Sequence, residues 1–135
     1  MRAKPLFLAC SVHHRGDCAV ACLASLLQIP YEEVLVVAAQ VKPLVLVRGL
    51  DNGELIQIAA RFKRTCVERT AGEIGDVRTT IGMLGIRFPD AGHTEHAVVL
   101  AYGLIFDPEG GEVWKVRDYL RRFNAQIVDF LELEE

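Results

Sequence analysis

The sequence contains no apolar run long enough to cross a bilayer. Half of its 135 residues are hydrophobic, but a transmembrane helix needs roughly 18–20 consecutive apolar residues. At the N-terminus, only residues 6–9 separate Pro5 from Cys10, whereas a secretory signal needs an apolar stretch of about 7–15 residues. We therefore expect a first strand or extended arm there, no membrane insertion and a cytoplasmic location.

An excess of charge of one sign is also lacking. The 15 Lys and Arg residues nearly balance the 18 Asp and Glu residues, so that the formal net charge is −3. Nucleic acids and anionic membranes are bound through strongly basic surfaces. The composition therefore argues against both as partners.

Cysteine is scarce, and no disulfide framework is expected. Without an export signal the chain remains in a reducing compartment, where cysteines stay as thiols. No repeat, low-complexity tract or linker divides the sequence, and 135 residues is a usual size for one domain. We expect residues 1–135 to form a single domain with four thiols, Cys10, Cys18, Cys22 and Cys66.

The first half of the chain predicts helices. Residues 18–28 carry almost no charge and follow Asp17, a residue type that caps helix starts. A helix that is apolar on every side is normally buried. A second helix is predicted over residues 31–40, led by two glutamates that suit its positive end, and a third over residues 52–62.

The second half predicts strands, because short apolar runs separated by Gly and Pro replace the helical pattern. Helices followed by strands indicate an α+β domain, with N-terminal helices packed on a C-terminal antiparallel sheet. The predicted strands cover residues 80–88, 96–101, 104–107 and 126–133, with a short helix over residues 116–123.

Cys18 occupies the first turn of the predicted buried helix. Unpaired backbone N–H groups and the positive end of the helix dipole stabilise a thiolate there and lower the thiol pKa. The same N–H groups can stabilise an oxyanion. The neighbouring Asp17 opposes this effect unless its carboxylate turns onto the backbone. A cysteine in an apolar helix is most often a small buried hydrophobe, and this interpretation suffices for the other three cysteines.

Residues 95–108 predict a β-hairpin. With a two-residue loop, Ala101 pairs with Leu104. This register makes Asp107 the diagonal neighbour of His96 on one face, with about 7–8 Å between their backbones, a gap that two polar side chains can close. A three-residue loop would place Asp107 on the opposite face. An imidazole–carboxylate pair of this kind is the orienting pair of a catalytic triad.

Each of these residues has a simple structural explanation when taken alone. His96 can be a core histidine bonded to a carbonyl, and Asp107-Pro108 can be a turn that ends a strand. Together with a cysteine at a helix start, in the order Cys, His, Asp, they predict a thiol active site. In it, Cys18 is the nucleophile, His96 its base, and Asp107 the group that orients the base.

Two blocks of the sequence resemble a known family. Residues 17–27 (Asp-Cys-Ala-Val-Ala-Cys-Leu-Ala-Ser-Leu-Leu) and residues 30–34 (Pro-Tyr-Glu-Glu-Val) closely resemble the nucleophile helix of the bacteriocin-processing, double-glycine leader peptidases. Residues 96–100 (His-Ala-Val-Val-Leu) and 106–111 (Phe-Asp-Pro-Glu-Gly-Gly) are similar to that family's histidine strand and its following Asp-Pro turn. The resemblance runs from about residue 10 to residue 111 and is weak in the middle.

The resemblance implies a papain-like cysteine peptidase with a triad of Cys18, His96 and Asp107. It implies hydrolysis of a peptide or amide bond through a thioester, in a peptide or protein substrate with small residues such as paired glycines at the cut. No cofactor is implied.

The sequence departs from the family pattern at two positions. Ala19 stands where the family usually has glycine, which is a mild change. Val12 stands six residues before the cysteine, where the family usually has a glutamine that donates to the oxyanion. Valine cannot donate, and losing one oxyanion donor typically costs ~10²–10³ in rate. His13 and His14 are candidate replacements, and Asp17 is a further candidate for oxyanion or substrate binding.

Three other functions remain open. The fold can be retained as a module that binds a peptide or protein without turnover, or the thioester can pass to an acceptor other than water, as in papain-like acyltransferases. A zinc site is the third, but two cysteines four apart on a helix do not match structural-zinc spacing, so no metal is predicted. Its possible ligands are His13, His14, Cys18, Cys22, His93 and His96.

Overall fold

The computed structural model describes residues 17–45 and 49–134. None of the helices in this part of the chain is both long and apolar enough to span a membrane. The helices and strands are α1 (Cys18–Leu27), α2 (Tyr31–Val41), α3 (Asn52–Arg61), β1 (Cys66–Thr70), β2 (Gly82–Phe88), β3 (Thr94–Ala101), β4 (Leu104–Asp107), β5 (Glu112–Lys115), α4 (Val116–Arg122) and β6 (Gln126–Leu133).

The predicted α+β class is confirmed. Within residues 17–45 and 49–134, three helices precede a six-stranded sheet whose spatial order is β1-β6-β2-β3-β4-β5 and whose neighbouring strands are all antiparallel. The sequence pattern did not predict β1 or β5, the two edge strands. Each pairs with one neighbour only, and each places charged residues on an exposed position, so neither shows the apolar run that marks the inner strands.

The sheet separates two hydrophobic cores, because successive side chains of a strand point to opposite faces. On one face, Met83 and Leu131 pack with the buried side chains of α1, α2 and α3. On the other face, Leu84 and Phe130 pack with Tyr119 of α4. The position of each candidate catalytic residue therefore depends on which of the two cores its side chain faces.

Helix α1 is buried along almost its whole length, as its apolar composition predicts. Asp17 occupies the N-cap position, but its side chain makes no capping hydrogen bond. Instead, Tyr31 Oη donates to Asp17 Oδ2 at 3.2 Å, and the carboxylate is only 1% exposed. The predicted N-cap position of Asp17 is therefore confirmed, but its side chain bonds to the first residue of α2 and not to the backbone of α1.

The predicted register of the hairpin is confirmed. Ala101 pairs with Leu104, and the ladder continues to Val99 opposite Phe106. The two loop residues, Tyr102 and Gly103, have φ angles of 54° and 78°. A two-residue loop with both φ angles positive matches the twist of antiparallel strands, so the turn fixes which residues of β3 and β4 share a face.

Candidate active site

Helix α1 brings Cys18 against β3. Cys18 is the first residue of the helix and is partly exposed. Burial raises the pKa of its thiol, and the groups that lower this pKa are the His96 side chain and the backbone N–H groups of Ala97 and Ala19. In this part of the chain, the first intrahelical bond is donated by the Ala21 N–H to the Asp17 carbonyl at 2.9 Å. The N–H groups before it have no acceptor within the helix, as at every helix start.

His96 and Asp107 form the contact that the register predicts. His96 Nε2 lies 2.7 Å from Asp107 Oδ1, and the two side chains are 10% and 19% exposed. With Nε2 taken by the carboxylate, Nδ1 is the ring nitrogen that remains for the Cys18 thiol. The Phe88 ring lies 6.2 Å from the imidazole ring, centroid to centroid, and covers it from β2. The imidazole is thus held at Nε2 by the carboxylate and is largely buried.

The Asp107 carboxylate accepts from two further donors. The Glu109 N–H donates to Oδ1 at 3.0 Å, and Tyr119 Oη donates to Oδ2 at 2.9 Å. Burial raises the pKa of Asp107, but the hydrogen bond and charge of His96, helped by these two donors, outweigh burial and hold the pKa below its ordinary value. Asp107 is therefore a carboxylate whenever the site is in use.

The pKa values of Cys18 and His96 move in opposite directions. Burial raises the pKa of the Cys18 thiol, but the hydrogen bond and positive charge of His96, with the Ala97 and Ala19 N–H groups, bring it below 9.0. Burial lowers the pKa of His96, but hydrogen bonds to Asp107 and Cys18 raise it overall to about 10. A thiolate beside an imidazolium is the form that these shifts favour.

A cleft of about 800 Å³ opens beside this pair. Its far wall is the start of α3, where Asp51 and Glu54 form a capping box with N–H···O distances of 2.8 and 2.9 Å. Asn52 Nδ2 lies 3.3 Å from Asp129 Oδ2 and ties α3 to the sheet. The lining residues are Cys18, Ala19, Gly49, Leu50, Asp51, Asn52, Gly53, Leu55, Glu68, Met83, Leu84, Gly85, Glu95, His96, Ala97 and Asp129.

Most of these lining residues were not predicted from the sequence. The Asp-Asn-Gly-Glu run at residues 51–54 is a readable helix-start signal, but nothing local indicates that it faces Cys18. Glu68 lies on β1 and Asp129 on β6, two strands that are distant in the sequence and adjacent in the sheet. Their place at the cleft follows from long-range pairing, which the sequence pattern does not reveal.

The remaining predicted site residues lie elsewhere. Val12, His13 and His14 are outside the described residues. Asp17 is buried against Tyr31 and is not among the residues that line the cleft. This burial argues against direct contact with a substrate, and the predicted role of Asp17 in substrate or oxyanion binding stays a prediction.

Four of the residues considered as zinc ligands, Cys18, Cys22, His93 and His96, lie in the described part of the chain. Within residues 17–45 and 49–134, no group of three or more His, Cys, Asp or Glu side chains is arranged to hold a metal ion. Cys22 is fully buried in the core beneath Cys18, and burial followed by the charges of Cys18 and Asp107 raises its thiol pKa well above 9.0. His93 lies exposed in the turn before β3.

No protein-family model matches the chain, and no curated protein matches it significantly. The function must therefore be inferred from the chemistry of the site.

Proposed function

We propose that this chain is a papain-like thiol hydrolase that cleaves a peptide or related amide bond through a thioester, with Cys18 as the nucleophile. The observation that carries the proposal is the His96 ring, which lies 2.7 Å from Asp107 Oδ1 and whose pKa is raised, against burial, by Asp107 and Cys18. The fold agrees with a papain-like arrangement, since the cysteine begins a buried helix and the histidine lies on an antiparallel sheet.

The reaction begins from the thiolate–imidazolium pair. The Cys18 sulfur attacks the carbonyl carbon, a C–S bond forms, and the carbonyl oxygen becomes an oxyanion. The His96 imidazolium then gives its proton to the leaving nitrogen, the C–N bond breaks, and a thioester and a free amine result. The neutral imidazole next takes a proton from water, the resulting hydroxide attacks the thioester, and the thiolate leaves as the acid product forms.

Among the described residues, the N–H groups at the start of α1 are the candidate oxyanion donors beside the sulfur. They point out of the helix end, and the helix dipole adds a positive potential there. A donor at position 12 would supplement them, and Val12 has none on its side chain. We therefore expect turnover slower by ~10²–10³ than with a full set of donors.

The cleft agrees with a peptide or protein substrate. A volume of about 800 Å³ lies within the range of roughly 300–1,000 Å³ that is usual for ligand sites. The family resemblance adds the expectation of small residues, such as paired glycines, at the cut. The proposed chemistry requires no cofactor, because the nucleophile, acid and base are all side chains of the chain.

Selective alkylation of Cys18 tests the proposal. We expect iodoacetamide at neutral pH to label Cys18 in the wild type and to label it far more slowly in His96→Ala, as measured by peptide mass spectrometry. Cys22 and Cys66 are internal controls, because burial raises the pKa of both thiols. Equal labelling of Cys18 in the two proteins, or labelling of Cys66 at the Cys18 rate, would rule out an activated thiolate.

A binding module without turnover is the second candidate, and Val12 is the observation that favours it. The two candidates differ in one measurable step. A hydrolase forms a covalent thioester with an activated ester or amide, which adds the acyl mass to Cys18, whereas a binding module leaves the mass of the chain unchanged.

A further inference from the structure

Tyr119 contacts the candidate triad from behind, although it belongs to none of the sequence blocks that define the triad. Its side chain is 1% exposed, and its Oη lies 2.9 Å from Asp107 Oδ2. This is the oxygen that does not face His96, since Oδ1 is the atom that lies 2.7 Å from His96 Nε2.

We propose that Tyr119 is a positioning residue that acts on His96 through Asp107: its buried hydroxyl fixes the rotation of the carboxylate so that Oδ1 is held against the imidazole. The proposal rests on the proposed function, in which Asp107 orients His96. It assigns a fourth residue to the site, and this residue never touches the substrate or the sulfur.

The distribution of donors over the carboxylate supports this assignment. The Glu109 N–H and His96 Nε2 both bond to Oδ1, whereas Tyr119 bonds to Oδ2. Bonds to one oxygen alone leave the group able to swing about its Cβ–Cγ bond, because the second oxygen is unrestrained. A donor on Oδ2 prevents this rotation, so hydrogen bonds to both oxygens together fix the direction of the Oδ1 lone pairs.

The position of the hydroxyl is itself fixed by aromatic packing. The Tyr119 ring lies 4.9 Å from the Phe123 ring and 6.3 Å from the Trp114 ring, centroid to centroid. Trp114 and Phe123 also contact each other edge to face, at 5.5 Å. Interlocked rings of this kind restrict a side chain to one rotamer. Helix α4 is short, so this packing, more than the helix, holds the phenol in place.

The phenol remains a donor over the working pH range. Burial, followed by the charge of Asp107 and the hydrogen bond to it, raises the pKa of Tyr119 above its ordinary value. A deprotonated phenol would repel the carboxylate, whereas a protonated one can only donate to it. The contact is therefore a directed hydrogen bond and acts as a fixed constraint.

The test is Tyr119→Phe, which keeps the ring and removes only the hydroxyl. We expect the midpoint of the pH profile of Cys18 alkylation to rise by about one unit, which is a tenfold loss of thiolate below the midpoint. The direction of the shift is informative. If the hydroxyl acted only by weakening the charge on Asp107, its removal would strengthen the imidazolium and the midpoint would fall, and such a fall would overturn the positioning role.

Tyr31→Phe is the matched control. It also removes a phenol hydroxyl from a buried carboxylate, that of Asp17, at 3.2 Å. We expect urea unfolding to show a loss of stability in both variants, but a shifted alkylation midpoint only in Tyr119→Phe. An equal shift in Tyr31→Phe would mean that losing any buried phenol–carboxylate bond near Cys18 has this effect, and the specific role of the contact to Asp107 would be refuted.

A double-mutant cycle isolates the route of the effect. In the Asp107→Ala background, Tyr119→Phe should change the alkylation rate by less than about twofold, because a residue that acts through Asp107 has nothing left to act on. A full tenfold loss in that background would contradict the proposal.

Proton NMR separates this proposal from the proposed function. We expect a downfield resonance from the His96 Nε2 proton in the wild type and faster exchange of that proton with water in Tyr119→Phe. This measurement needs no reaction at Cys18. If the proton is insensitive to the variant, the positioning role fails even when Cys18 is selectively alkylated; if Cys18 is unreactive but the proton responds, only the proposed function fails.

Discussion

Replacing Asp107 with asparagine removes the negative charge beside His96 and keeps the shape of the side chain. The amide oxygen can still accept from His96 Nε2 and the Glu109 N–H, while the amide nitrogen faces the Tyr119 hydroxyl, which can then accept. The hydrogen bonds can therefore persist, and the change is mainly one of charge. A neighbouring opposite charge typically raises the pKa of a cation by about 1–3 units.

The wild-type value sets the size of the expected change. Hydrogen bonds and the Asp107 charge raise the pKa of His96 to about 10 against burial, so we expect about 7–9 in Asp107→Asn, from that value less about 1–3 units. A less charged imidazole also stabilises the thiolate less, so the Cys18 pKa rises towards 9.0. The pH window in which thiolate and imidazolium coexist narrows from both sides.

The assay combines two pH profiles. Thiolate absorbance near 240 nm reports Cys18, and the shift of the His96 C–H protons in NMR reports the imidazole. In the wild type, hydrolysis should rise through the lowered Cys18 pKa and fall through about 10, because the leaving nitrogen needs the imidazolium proton. In Asp107→Asn the falling limb should move to lower pH.

Stability should follow the same titration. The folded pKa of His96 lies above its unfolded value near 6.5, so its stabilising contribution is complete below pH 6.5 and is lost as pH rises through about 10. Asp107 has a lowered pKa, so its contribution is complete above 3.8 and is lost as pH falls through its lower folded value. In Asp107→Asn, chemical unfolding should show less dependence on pH in both ranges.

Glu109→Gln is the control that the structure provides. The Glu109 carboxylate lies 3.9 Å from His96 Nε2 but is 76% exposed, and charges in water interact weakly. We expect this variant to leave the His96 titration close to that of the wild type. A His96 pKa unchanged by Asp107→Asn, or lowered as much by Glu109→Gln, would refute the claim that the buried carboxylate sets the imidazole charge.

Two further predictions concern the scaffold. Gly82→Ala places a Cβ 2.3 Å from the Leu131 carbonyl oxygen, a backbone atom that cannot rotate away. We therefore expect urea unfolding to show a loss of about 3 kcal/mol or more in the free energy of unfolding. Gly72→Ala, whose added Cβ has nothing within 4 Å, is the control, and an equal loss of stability in the two variants would contradict the packing argument. Asp51→Ala removes the N-cap of α3 and should lower the free energy of unfolding by about 1 kcal/mol. If urea unfolding shows no change in stability, the capping box of Asp51 and Glu54 does not stabilise this wall of the cleft.

The local parts of the site could be predicted from the sequence because they depend on short-range geometry. The β3–β4 register follows from a two-residue turn and the period of two along each strand, which is enough to place His96 and Asp107 together. The position of Cys18 at a helix start follows from a polar residue before a long apolar run. In each case, the residues that decide the outcome lie within one hairpin or one helix turn.

The other parts could not be predicted, because their partners are distant in sequence. The Asp17 side chain looks like a helix cap until Tyr31, on the next helix, is known to reach it. Asp129 reaches the cleft through the pairing of β6 with β2, and Tyr119 reaches Asp107 through the packing of α4 on the sheet. No periodicity in the sequence encodes such contacts.

Asp107-Pro108 was explained above either as a turn that ends a strand or as part of a catalytic triad, and the two explanations are compatible. The β3–β4 ladder stops at Val99 opposite Phe106, and in the part of the chain that the structure describes no other strand pairs with this edge of β3 beyond that pair. Burial raises the pKa of the Cys18 thiol, and the N–H of Ala97, which has the same parity as Val99, is one of the groups that lower it. Because the ladder ends near the Asp-Pro turn, the start of α1, which packs on one face of the sheet, can approach the edge of β3. The Asp107 side chain contacts His96 on the opposite face of the sheet.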